Sequence, residues 1–123
     1  MKNNQEILDE FGEMIIRESY DYQLNFIKNK IEDLRLTESY TSLFDNMTSI
    51  QKKELEKYTQ EILSGFLFDI LRIFEENEQF KLIYEENGKQ VDLVKISEML
   101  KAEPIIENGW IKRFSKYADE YEV

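Results

Sequence analysis

The sequence holds no cysteine and no histidine. Without cysteine there is no disulfide framework, no thiol nucleophile and no thiolate ligand. Without histidine there is no imidazole base for a Ser-His-Asp triad, and with both missing there is no ordinary zinc site. One proline and four glycines leave little material for flexible linkers or low-complexity repeats. Positive charge is also scarce: 16 Lys and Arg stand against 26 Asp and Glu, a formal net charge of −10. Phosphate backbones are gripped by basic surfaces, so this balance argues against a nucleic-acid ligand. The longest apolar runs are Met14-Ile15-Ile16 and Gly65-Phe66-Leu67-Phe68, far short of the ~20 residues of a membrane span. The polar opening Met1-Lys2-Asn3-Asn4-Gln5-Glu6 is not followed by the apolar stretch of a secretory signal. The expectation is a cytoplasmic protein with no membrane contact and no cofactor.

What remains is 123 residues, 13% of them aromatic, which is one domain's worth of chain. A single helical domain over 1–123 is expected. Tyr20, Leu24, Ile27, Ile31 and Leu34 recur at steps of four and three. That spacing places them on one stripe of a helix. Leu8, Phe11 and Ile15 extend the stripe upstream, so residues 4–36 read as one long helix, or as two broken near Ser19. Residues 37–48 are rich in Thr, Ser, Asp and Asn, which compete with helical hydrogen bonding and form turns. Thr48 with Gln51 has the form of a capping box. A second long helix then runs to about Asn77. From Ile62 onward its apolar positions cover most of the circumference, which predicts that residues 62–74 form the centre of the core.

Beyond Asn77 the period changes. Phe80–Tyr84 and Val91–Val94 are short and extended in character, and Asn87-Gly88 between them is a strong hairpin signal. A small β-hairpin is expected at about 80–94. Ile96, Met99 and Leu100 suggest a short helix, which Glu103-Pro104 stops. Asn108-Gly109 makes a turn. Trp110, Ile111, Phe114 and Tyr117 then recur at helical spacing, with Tyr117 and Tyr121 expected to be partly exposed. The predicted fold class is mainly α: two long antiparallel helices, short helices and one small hairpin.

Carboxylates are the only plentiful catalytic groups. Glu10-x-x-Glu13 followed by Glu18-x-x-Asp21 resembles the paired acids of all-helical nucleotide pyrophosphatases. The four-residue gap is too short for the second pair to come from another helix, so no metal site and no catalytic residue is assigned. Asp69 lies in the most apolar segment of the chain. A buried carboxylate needs a partner, and Arg17, embedded beside Met14-Ile15-Ile16, is the expected one; the alternatives are a functional carboxylate, or one that faces water on the thin polar edge of the helix. Glu75, Glu76 and Glu78 end the second helix, where acid opposes the macrodipole. Glu85 and Glu86 follow on the hairpin. These acids read either as a solvated helix end and hairpin tip or as one negative patch. Tyr84 and Trp110 are candidate interface anchors, although a lone Trp at the start of an amphipathic helix is more often core.

The tail Gly109-Trp110-Ile111-Lys112-Arg113-Phe114-Ser115-Lys116-Tyr117 and the helix end Phe74-Glu75-Glu76 resemble segments of small acidic bacterial immunity proteins from polymorphic and contact-dependent toxin systems. The resemblance implies a binding protein, not an enzyme, that neutralises a basic toxin or nuclease domain by occlusion. On that reading Glu75, Glu76, Glu78, Glu85 and Glu86 steer the partner, and Tyr84 and Trp110 hold it. Two other readings stand beside it. One is a homodimeric structural or regulatory module pairing through Tyr20–Leu34. The other is a Mg²⁺-dependent helical hydrolase.

Overall fold

A computed structural model describes residues 2–120; Tyr121 lies outside them. The protein is mainly helical with one small antiparallel hairpin. Helix α1 (Asn4–Ile15) begins at Asn3, whose side chain accepts from the Glu6 N–H at 2.8 Å while Glu6 accepts from the Asn3 N–H at 3.3 Å. A π-helical turn, Ile16–Tyr20, carries the chain into α2 (Asp21–Asn29) without a break. The expected interruption near Ser19 is thus a widening of the helix. Its cause lies in the spacing of the buried positions. Leu8, Gly12, Ile16, Tyr20 and Leu24 are buried at strict steps of four, and a regular helix would wind such a row ~40° per step around its axis. One wider turn takes back more than half of that drift and keeps the row on one side of the helix.

The real break is at Lys30, before α3 (Ile31–Arg35) and α4 (Thr41–Phe44). Helix α5 (Ser49–Glu76) starts at the expected capping box, Thr48 with Gln51. It runs back antiparallel, with Lys28 near the end of α2 meeting Glu56 near the start of α5 at 3.4 Å. Strands β1 (Ile83–Glu86) and β2 (Lys89–Asp92) pair Tyr84 with Val91. Asn87 and Gly88 both have positive φ, 52° and 81°, as a two-residue primed turn requires. The second strand ends earlier than the sequence suggests. The Asp92 side chain accepts from the Val94 N–H at 3.1 Å and turns Leu93–Ile96 into a helical turn, α6. A 3-10 turn at Leu100–Ala102, helix α7 (Trp110–Phe114) and a last 3-10 turn at Ala118–Glu120 complete the chain.

The core does not centre on residues 62–74. It lies between α1, the π turn, α2 and α7, with Ile7, Leu8, Ile16, Tyr20, Leu24, Trp110 and Ile111 buried together. Only Leu67 and Leu71 reach it as buried residues from α5. Trp110 is 0% exposed and lies flat on α1 at Gly12. A Cβ there would fall 2.5 Å from the indole. Glycine inside a helix costs ~1 kcal/mol relative to alanine, and complete burial of the largest side chain offsets it. Phe11 meets the same ring edge-on at 5.7 Å. The stripe expected to pair with another copy is consumed here too: Tyr20 and Leu24 are buried, and Ile27, Ile31 and Leu34 are half-buried.

Candidate functional site

The predicted buried pair, Arg17 with Asp69, does not exist. Arg17 is exposed and pairs with Glu13 one helical turn away. Asp69 is also exposed, 3.8 Å from Arg72 on its own helix. Both belong to stretches that are apolar in sequence but not enclosed on that side. The buried carboxylate is Asp21, which the sequence reading placed in an acidic pair. It accepts from the Ser115 hydroxyl at 2.5 Å and from the Lys116 N–H at 2.9 Å. Ser115 in turn accepts from the Tyr117 N–H at 3.0 Å. A hydroxyl and a backbone amide, not a cation, satisfy the acid, and the clasp ties α2 to the chain after α7. Helix α7 therefore ends at Phe114 instead of running on to Tyr117.

Trp110 as a partner anchor is also overturned, because no part of it reaches the surface. Gly109 before it is needed by close packing: a Cβ would collide with the carbonyl oxygens of Glu103 and Ile106. The Trp110 and Ile111 amides donate to Glu103 O at 2.9 Å and Pro104 O at 3.1 Å. The Gly-Trp-Ile segment is thus a packing device.

The candidate acids have separate partners within the chain. The hairpin leans on α1, where Leu82, Tyr84 and Leu93 line a cleft of about 260 Å³ with Ile7, Phe11 and Met14. Glu75 is half-buried and holds the Lys101 amide at 2.9 Å and its ammonium at 3.7 Å. Glu76 pairs with Arg72 at 2.8 Å. The unfavourable acid at the end of α5 is therefore compensated largely from within the chain. Glu86 accepts from the Tyr84 hydroxyl at 2.6 Å and lies 3.6 Å from Lys2, which also holds Glu10 at 3.0 Å. The hydrogen bond from Tyr84 lowers the Glu86 carboxyl below its ordinary value and raises the Tyr84 phenol above its own. Glu10 and the tyrosine oxygen likewise raise Lys2. This is a clasp between hairpin and α1. Glu76, Glu78 and Glu85 are exposed; Glu76 is held by Arg72, and Glu85 accepts a hydrogen bond from the Gln90 amide at 3.2 Å.

The feature that the sequence reading missed is the outer face of α5. Tyr58, Ile62, Phe66, Ile70 and Ile73 are 60, 51, 64, 36 and 41% exposed. Their steps of four, four, four and three set them in one row. Glu54, Glu61, Asp69 and Glu76 run along the same side of the helix. The signal was present as the wide apolar circumference after Ile62, but it was assigned to the core. The opposite face buries Gln60 and Ser64 beside Leu67 and Leu71.

A polar cleft of about 370 Å³ lies where α2, α5 and the last turn meet. Lys28 spans it, 3.4 Å from Glu56 and 2.6 Å from Glu120. Burial works against its charge, yet the hydrogen bond it donates to Glu120 and the field of Glu56 leave its pKa raised. With Lys53, Lys57 and Glu61 also lining it, the cleft carries both signs and focuses neither. Among the described residues no three acidic side chains converge to hold a metal ion, and no helix is long and apolar enough to cross a membrane. Comparison with known proteins finds no match: no family model, no curated protein and no solved structure.

Proposed function

We propose that this chain is a binding protein, an immunity-type inhibitor that occludes a cognate basic toxin or nuclease domain. One observation carries the reading. At least nine of the sixteen lysines and arginines are already paired with carboxylates of the same chain. Paired charges largely cancel, and the net surplus of ten acidic groups sets the field that a partner meets. Such a field speeds encounter with a basic surface and falls with ionic strength. Glu78 and Glu85 are the candidate residues best placed to contribute, being exposed and held by no cation among the described residues. Tyr84, half-buried in its clasp, offers one edge as a contact.

The test is co-expression with the protein encoded beside this chain. Restored growth of cells poisoned by that protein's C-terminal domain supports the reading. A neighbour that is not toxic, or whose toxicity is unaffected, removes it. With the two purified, the double change Glu78→Lys and Glu85→Lys is expected to slow association in low salt. An unchanged on-rate moves the interface elsewhere.

A further inference from the structure

We propose that α5 pairs with the α5 of a second copy of this chain, antiparallel, about a two-fold axis beside Gly65 and Phe66. The row Tyr58, Ile62, Phe66, Ile70 and Ile73 runs for about 22 Å along the helix. Monomers rarely leave more than about 300–600 Å² of contiguous apolar surface open, and five large side chains at the exposures given above reach that range. With its charged rim the face approaches the roughly 800 Å² per partner that stable interfaces bury.

The identity of the occupant follows from how the face reads in reverse. Outward from Gly65–Phe66, the N-terminal arm presents Ile62 and Tyr58, with Glu61 at the edge of the row. The C-terminal arm presents Ile70 and Ile73, with Arg72 at the same edge. Laid antiparallel on itself, the face sets Ile62 toward the second copy's Ile70 and Tyr58 toward its Ile73. It also brings Glu61, along that edge, to Arg72. Each contact occurs twice, as two-fold symmetry requires. A parallel pairing would instead set Glu61 beside Glu61 and Arg72 beside Arg72. Asp69, on the same face, is already held by Arg72 at 3.8 Å.

Gly65 supplies an independent argument. It interrupts a 28-residue helix on the exposed side, where glycine costs ~1 kcal/mol relative to alanine. Among the described residues no packing partner explains it, since apart from its own helix backbone and chain neighbours no atom lies within 4 Å of where its Cβ would be. Gly12, by contrast, makes room for Trp110. The open notch at Gly65 lies one residue from the most exposed ring of the row, and in the antiparallel pair each Phe66 covers the second copy's Gly65.

Sedimentation velocity on the full chain tests this. The natural sequence should sediment as a dimer at about 100 μM and dissociate on dilution. Phe66→Asp should be monomeric throughout, with the helical circular dichroism and dilute melting temperature of the parent. Glu61→Arg and Arg72→Glu should each weaken the dimer about tenfold, because each sets like charges opposite one another. The double variant E61R/R72E should restore it, since the pair is exchanged within every copy. A natural chain that is monomeric at 100 μM overturns the proposal. So does a dimer that ignores Phe66→Asp, or a double variant no tighter than the weaker single change.

Discussion

The two faces of α5 are both apolar, but only one of them is covered. The inner face buries Leu67 and Leu71 with Gln60 and Ser64, and Leu63 packs beside them; the outer face leaves Tyr58, Ile62, Phe66, Ile70 and Ile73 open to water. A helix in a lone monomer is expected to carry a single apolar stripe, turned inward. The difference teaches that apolar content reports how much of a helix is destined to be covered. It does not report which chain does the covering. The π turn and Trp110 help to close the core around α1 and α2, and α5 completes it with Leu67, Leu71 and the half-buried Leu63.

That contrast can be broken by substitution. The largest effect is expected on the inner face: Leu71→Ala should cost about 2–5 kcal/mol in urea unfolding, while Phe66→Ala, measured where the chain is monomeric, should stay within about 0.5 kcal/mol. Equal losses at the two positions would mean that the outer face is not open. Next comes Gly12→Ala. Its new methyl meets Trp110, so it should destabilise by about 1–3 kcal/mol, although alanine is the better helix former. Gly65→Ala should stabilise the dilute monomer by up to about 1 kcal/mol. Opposite signs for the two glycines in parallel melts would confirm that one serves the chain's own packing and the other does not.

Smaller still is Ser64→Ala. The Ser64 hydroxyl is buried and finds no hydrogen-bond partner, so removing it should leave stability unchanged or raise it by up to about 1 kcal/mol. A loss above about 1 kcal/mol would show that the hydroxyl is satisfied. The smallest effect concerns the hairpin. Glu86 has a lowered pKa in the fold, so its clasp to Tyr84 and Lys2 contributes above the ordinary value of 4.5 and is lost as pH falls through the folded value. Acidification should loosen the hairpin resonances in NMR before those of α1. Glu86→Gln should abolish that step, and a step that persists would place the titrating group elsewhere.

Both long helices were legible in sequence because their signals are local. The Thr48–Gln51 box, the four-and-three spacing and the Asn87-Gly88 turn act within a few residues of chain. The candidate site was less legible. Asp69 and Trp110 illustrate why: each was judged by its sequence neighbours, yet burial depends on what lies across from it. Asp69 faces no second layer, whereas Trp110 has Gly12, nearly a hundred residues away in sequence. Asp21 was passed over for the same reason, since Ser115 and the Lys116 amide meet it only in space.

The sequence by itself determined the composition of the chemistry: carboxylates without histidine or cysteine, helices with their caps, and one hairpin with its turn. These follow from side-chain identity and from hydrogen bonds closed within about four residues. Only the tertiary structure decided which apolar row is core and which is surface, and which acids are already held by cations. Those outcomes depend on contacts between residues far apart in sequence. Periodicity marks a face as apolar but carries no record of what is packed against it.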